Sequence, residues 1–190
     1  MRNTTNIFSI TVSALLLALF FISGNIIPPI MLIPAVPLTF QTFTVALMGL
    51  FLGVKKGLLC LFSLFLLTAA GVPMMSGFRG GLGVFVSPTS GFALGFVFIV
   101  VFMGLFRHFF IKSKKNVILS TAIFTLFALV GIFAQYTSGA LGLAVQASQS
   151  KGFPALFMSS FIFLPFDLLK MYLALLTVLF IRKSKIGGVM

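Results

Sequence analysis

Asp167 is the only acidic residue in a chain of 190 residues, and it lies inside an apolar segment. Phe161 to Phe166 precede it, and Leu168, Leu169, Met171 and Tyr172 follow. A charge in such surroundings is costly, so it persists where it has a partner or a task. Lys170 comes three residues later, on the same helical face. One anion beside one cation in a hydrophobic wall can act as structural glue, a proton relay or a ligand site. A purely structural ion pair gains little over apolar packing, which favours the functional readings.

The other polar candidates are few. Thr39, Gln41 and Thr42 stand at the entry to an apolar stretch, and Arg79 sits in a Gly-rich connection. Thr89 and Ser90 belong to the turn Ser87-Pro88-Thr89-Ser90-Gly91, and Tyr136 closes a further apolar stretch. A small-molecule site is apolar with a few placed polar groups, and this set fits that pattern. Each residue also has a plainer use. Thr39, Gln41 and Thr42 can cap a helix, and Ser90 is a satisfactory N-cap. Tyr136 suits an interfacial anchor, and Arg79 suits lipid headgroups.

Enzyme chemistry lacks its groups. With one Asp, one His and no Glu, neither a two-carboxylate mechanism nor an HExxH zinc site can be built. There is no GxSxG and no Walker A sequence, and His108 adjoins Arg107 in a basic connection. The lone Cys60 can form neither an internal disulfide nor a metal site. No enzyme activity, metal or cofactor is expected.

The elements that must position the candidates are membrane spans. Apolar residues make up 60% of the chain and charged ones 7%, with a mean hydropathy of +1.25. Such a composition excludes an ordinary soluble domain. The expectation is one all-α integral membrane domain over 1–190, with six transmembrane helices. They fall near 6–24, 40–53, 58–70, 92–106, 117–136 and 154–181. The first stretch lacks a cleavage site followed by a polar mature chain, so it reads as a retained span.

Charge orients these spans. Ten of the 13 basic residues fall on one side of a six-span chain: Arg2, Lys55, Lys56, Arg107, Lys112, Lys114, Lys115, Arg182, Lys183 and Lys185. Arg79 and Lys151 fall on the other, and Lys170 lies within the membrane. The positive-inside rule puts both termini in the cytoplasm. The net charge of +12 punctuates span ends rather than forming a stripe, so nucleic acid is not expected as a partner. The outer connections, 25–42, 71–91 and 138–152, are long and rich in Gly, Pro or Ser. Non-helical backbone near membrane depth lines a cavity or is buried in protein, so these loops are expected to close an outer-facing pocket. Small residues four apart, at Ala14/Ala18, Gly49/Gly53 and Gly91/Gly95, permit close helix approach.

Several segments carry a family resemblance. Gly80-Gly81-Leu82-Gly83-Val84 leading to Ser87-Pro88-Thr89-Ser90-Gly91-Phe92-Ala93-Leu94-Gly95-Phe96 resembles a Gly-rich, G-P-T-G-G-Y-x-x-G-F signature. Pro37-Leu38-Thr39-Phe40-Gln41-Thr42 resembles P-[IL]-T-x-Q-T, and Leu164 to Lys170 resembles P-G-D-L-x-K. Together, in order, these resemble the BioY family, the biotin-specific S subunits of energy-coupling-factor transporters. Ser87, Ser90 and Phe92 depart from the turn signature, Phe166 stands in place of Gly, and Phe78-Arg79 interrupts the Gly run. The resemblance implies biotin as ligand and uptake through the plasma membrane. It also implies a transmembrane T subunit and two ATP-binding cassette ATPases as partners, with Ala14 and Ala18 as the docking pair. In that reading Asp167 accepts from a ureido N–H, Lys170 meets the ureido carbonyl or holds Asp167 ionised, and Thr89, Ser90 and Gln41 complete the polar set. Arg79 then neutralises the valerate carboxylate. An S subunit for another vitamin, or a solitary proton-coupled transporter or facilitator using Asp167, are the alternatives.

Overall fold

A computed structural model describes residues 2–27, 29–33, 36–111, 117–146 and 152–183. Five of its helices are long and apolar enough to cross a membrane. They are apolar all round, as spans must be, and each satisfies its own backbone hydrogen bonds where no water can. Helix α1 covers Arg2–Asn25, α2 Gln41–Ala69, α3 Ser90–Phe106 and α4 Val117–Gln146. The last span is composite. Helix α5 (Phe153–Ser159) passes through a 3-10 turn, Ser160–Phe163, into α6 (Leu164–Lys183). Helix α3 packs most extensively, against α4 and α2.

Two expected spans, 40–53 and 58–70, form the single element α2, with no connecting loop between them. Lys55 and Lys56 are helical rather than in a loop. The element is nonetheless broken at Gly53, whose φ of 77° and ψ of −179° are open to glycine and foreign to a helix. Contacts on its two halves show the path. Thr44 bonds Ser23 in α1 at 3.2 Å. Beyond Gly53 the order reverses, with Lys56 reaching Ser9 and Cys60 reaching Ser13. A Cβ on Gly57 would lie 3.0 Å from the Met48 carbonyl oxygen. Nine residues along one straight helix are ~13 Å apart. The chain therefore doubles back at Gly53.

The fifth expected span ends too early. Residues 138–146 continue α4 instead of opening a loop. Their small residues are packing sites. Ser138 Oγ donates to the Gly91 carbonyl at 2.7 Å, and a Cβ on Gly142 would lie 2.8 Å from the Gly91 nitrogen. The Gly91/Gly95 spacing thus serves contact between α3 and α4.

The fold is also not purely helical. The first connection contains a two-stranded antiparallel hairpin, β1 (Ile30–Ile33) and β2 (Val36–Leu38), with Ile30 opposite Leu38 and Met31 opposite Pro37. An isolated two-stranded ribbon is an edge on both sides, and so it tolerates Pro37. Lys112, Lys114, Lys115, Lys151 and Lys185 lie outside the described residues.

Candidate ligand-binding site

The acidic residue is where helix electrostatics favour it. Asp167 falls in the first turn of α6, just after the 3-10 turn, where the helix dipole is positive. The spacing of three residues then brings Lys170 Nζ to 2.9 Å from Asp167 Oδ1. Both residues are buried, at 5% and 4% exposure. The second carboxylate oxygen is also taken. Tyr136 Oη, from α4, donates to Asp167 Oδ2 at 2.7 Å. Tyr136 is 1% exposed, so it is no interfacial anchor. The full-length α4 places it well inside the span, and it links two helices through the only carboxylate side chain. Each oxygen of an ionised carboxylate accepts two hydrogen bonds, so the network leaves acceptor capacity on Asp167.

This network forms the wall of a cavity of about 90 Å³. Its apolar lining includes Val36, Pro37 and Leu38 from β2, Phe92, Ala93 and Phe96 from α3, and Phe163 from the 3-10 turn. Its polar lining includes Thr39, Gln41, Thr42, Ser76, Arg79, Thr89, Gln135, Tyr136, Asp167 and Lys170. Residues brought together from 36 to 170 thus meet at one end of the bundle. The hairpin and the 71–89 connection cover that end.

The covering loop is held in several places. Met75 and Arg79 exchange backbone hydrogen bonds across a tight turn in which Gly77 and Phe78 both have positive φ, 75° and 57°. Asn25, at the end of α1, accepts from the Phe78 N–H at 2.6 Å and donates to Pro73 O at 3.1 Å. This clamp was not singled out from the sequence. Gln41 acts as a strut. Its amide nitrogen donates to Met74 O at 3.3 Å, and its oxygen accepts from Thr39 at 3.3 Å. Phe40, not Thr39 or Gln41, takes the N-cap position of α2, and no side chain caps it.

The held turn presents Arg79 at the cavity. Its Nε donates to Ser76 O at 3.0 Å and its second guanidinium nitrogen to Thr89 Oγ1 at 3.3 Å. A guanidinium has five N–H donors, so others remain for an anion. Thr89 lines the cavity, whereas Ser90 is buried in the first turn of α3 and is not in its wall. Thr89, not Ser90, holds the N-cap position, without a side-chain cap bond. Ala14 and Ala18 are exposed on α1, and among the described residues none from α1 lines the cavity. Gln135 lines the cavity and was missed in the sequence. The signal was present: an amide inside an apolar span invites the question asked of Asp167.

A polytopic helical bundle with a lidded, mostly apolar cavity and one buried charged network defines a membrane protein built to hold a small molecule. Residues 1–186 match the family model described as the BioY family. The chain belongs to the BioY family. It is 35% identical over 164 residues to the biotin transporter BioY of Rhizobium etli, spanning 85% of this chain and 86% of that one. It is 30% identical over 193 residues to the biotin transporter BioY of Lactococcus lactis subsp. cremoris, spanning 99% and 96%. The fold is similar to the crystal structure of an S-component for biotin from an ECF-type ABC transporter. The TM-score is 0.84 at 24% identity, covering 97% of this chain and 95% of the other.

Proposed function

We propose that this chain is the biotin-capturing S component of an ECF-type ABC transporter, not an enzyme. It is one membrane domain over 1–190 that binds biotin from the outer face and delivers it inward. The observation that carries the substrate assignment is the buried Tyr136–Asp167–Lys170 network in the wall of a largely apolar cavity, in a chain of this family. Biotin offers a cyclic urea with two N–H donors and one carbonyl, an apolar bicycle, and a carboxylate tail. Asp167 accepts a urea N–H, and Lys170 meets the urea carbonyl or holds Asp167 in place through the ion pair. Phe92, Phe96 and Phe163 face the bicycle. Thr89 and Gln41 complete the polar wall, with Ser90 supporting the turn behind it.

The membrane crosses the bundle six times in this reading, because the doubling-back at Gly53 supplies two spans from α2. Lys55, Arg107 and His108 line one cleft with Gly53 at the end remote from the cavity. Six crossings and the positive-inside rule then place this end and both termini in the cytoplasm. A T subunit and two ATP-binding cassette ATPases supply the energy for release, docking at Ala14 and Ala18.

Isothermal titration of the purified chain checks the assignment. Saturable biotin binding without any partner is expected. No biotin binding, with thiamine or riboflavin bound instead, would transfer the protein to another vitamin and leave the fold intact.

Arg79 tests the orientation of the ligand. If its free N–H groups face the valerate carboxylate, Arg79→Ala should weaken biotin by about tenfold, the scale of one charge-assisted hydrogen bond. The neutral biotin amide should lose distinctly less. Equal losses for both ligands would assign Arg79 to holding the Ser76 and Thr89 loop.

A further inference from the structure

Gln135 has a buried acceptor with nothing to accept among the described residues. The residue is 4% exposed, on α4, next to Tyr136 in the chain and in the cavity wall. Its Oε1 has no hydrogen-bond partner among the described residues. Its Nε2 makes one contact, to Phe92 O at 3.4 Å. That is long for an N–H···O bond, and the terminal amide torsion is broad, so the group turns easily. Room has been made for it. A Cβ on Gly95 of the facing helix would lie 2.8 Å from Gln135 Cγ. Buried acceptors are nearly always paired, and leaving one unpaired is unfavourable. Methionine would fill the same space without that penalty.

We propose that Gln135 is a specificity residue whose side-chain carbonyl accepts an N–H of the bound ligand. The inference rests on the biotin reading and deepens it. A cyclic urea presents two N–H donors on opposite sides of its carbonyl, so one acceptor cannot serve both. Asp167 already accepts from Lys170 and Tyr136 and takes one ligand N–H. Gln135 takes the second. The pair then selects a ring with two N–H donors over one in which either donor is missing. A site that hydrogen-bonds a ligand group discriminates strongly against an analogue lacking it, because its own buried atom is left unpaired.

The test uses the full chain, Gln135→Met, and three ligands: biotin and the two cyclic carbamates in which one or the other urea N–H is replaced by oxygen. Wild-type protein should bind both carbamates about tenfold or more weakly than biotin. Gln135→Met should bind biotin about tenfold more weakly, yet show no further loss for the carbamate whose oxygen faces position 135. Its melting temperature without ligand should be unchanged or higher, because an orphan acceptor is removed. Unaltered biotin affinity in Gln135→Met would overturn the proposal. So would equal losses for all three ligands, or a fall in melting temperature that parallels the loss of binding. Should the variant not fold, the wild-type series decides: a carbamate bound as tightly as biotin overturns the assignment. Wild-type protein that fails to bind biotin at all sinks the underlying substrate reading. A Gln135→Met protein indifferent to these ligands, in a wild type that binds biotin, sinks only this inference.

Discussion

Asp167→Asn should lower biotin affinity by roughly a hundredfold or more. The substitution keeps the shape, removes the charge and turns one acceptor oxygen into a donor amide. Two hydrogen bonds converge on the carboxylate, from Lys170 at 2.9 Å and Tyr136 at 2.7 Å. Asparagine can satisfy only part of this. Its oxygen can stay with Lys170 while its amide donates to a reoriented Tyr136 hydroxyl, but no lone pair on that nitrogen is left for a urea N–H. Lys170, 4% exposed, also loses its counter-ion. Facing a urea N–H with a donor amide loses a hydrogen bond to a charged group, about 1.5–3 kcal/mol, and leaves that N–H unpaired at a cost of about 1–3 kcal/mol more. At about 1.4 kcal/mol per tenfold, two orders of magnitude in affinity is near the lower end of the two together. Lys170→Ala should be similarly severe, and the double variant less than additive because the two act as a unit. Melting of the ligand-free protein, measured beside titration calorimetry, separates lost binding from lost folding. Near-normal biotin binding by well-folded Asp167→Asn would make the network structural and move the site to the loops.

Ala14→Trp should abolish energised uptake and leave biotin binding by the isolated chain within about twofold, since substitutions far from a site rarely couple to it. Helix α1 buries Leu16 and Phe20 against the bundle and exposes Ala14 and Ala18 on its other side. Large apolar residues flank that small-residue patch, with Ile10 and Leu15 exposed at 69% and 65%. In lipid, small residues let a second helix come close, where dispersion contacts are gained. An indole at position 14 props the partner helix away without reaching the cavity. Biotin accumulation in cells producing the T subunit and both ATPases, compared with titration of the purified variant, reads the two effects separately. Undiminished uptake would remove Ala14 from the docking face. Loss of biotin binding, or of folded protein, would instead assign it to packing within the bundle.

How far the sequence reaches depends on the range of the interaction. The Asp167–Lys170 pair was legible because three residues along a helix is a local distance, and only a helix is viable in that apolar run. Membrane residence was legible from composition, since lipid rejects charge wherever it occurs. The end of the fifth span was not. Ser138, Gly139 and Gly142 read as a loop by the rules for water, but in a membrane helix they are where α3 comes close at Gly91 and Phe92. The expected spans 40–53 and 58–70 imply a reversal between them, but the sequence points to a basic loop there and shows Gly53 only as a spacing residue, because a single glycine does not declare its own φ.

The sequence by itself determined the kind of solvent this chain lives in, its helical class, and the pairing of its one carboxylate with the lysine three residues on. Only the tertiary structure decided that Tyr136 is buried on that carboxylate, that Asn25 clamps the covering loop, that Gln41 is a strut, and that Gln135 carries an acceptor beside the cavity with no partner among the described residues. The physical reason is common to all four. In a membrane span, apolar residues face lipid and protein alike, so hydrophobic periodicity does not tell the inner face from the outer. The contacts that define the site join different helices, as Tyr136 with Asp167, or a helix to a distant loop, as Asn25 with Phe78. Their geometry is set by how those helices pack, which no local pattern records.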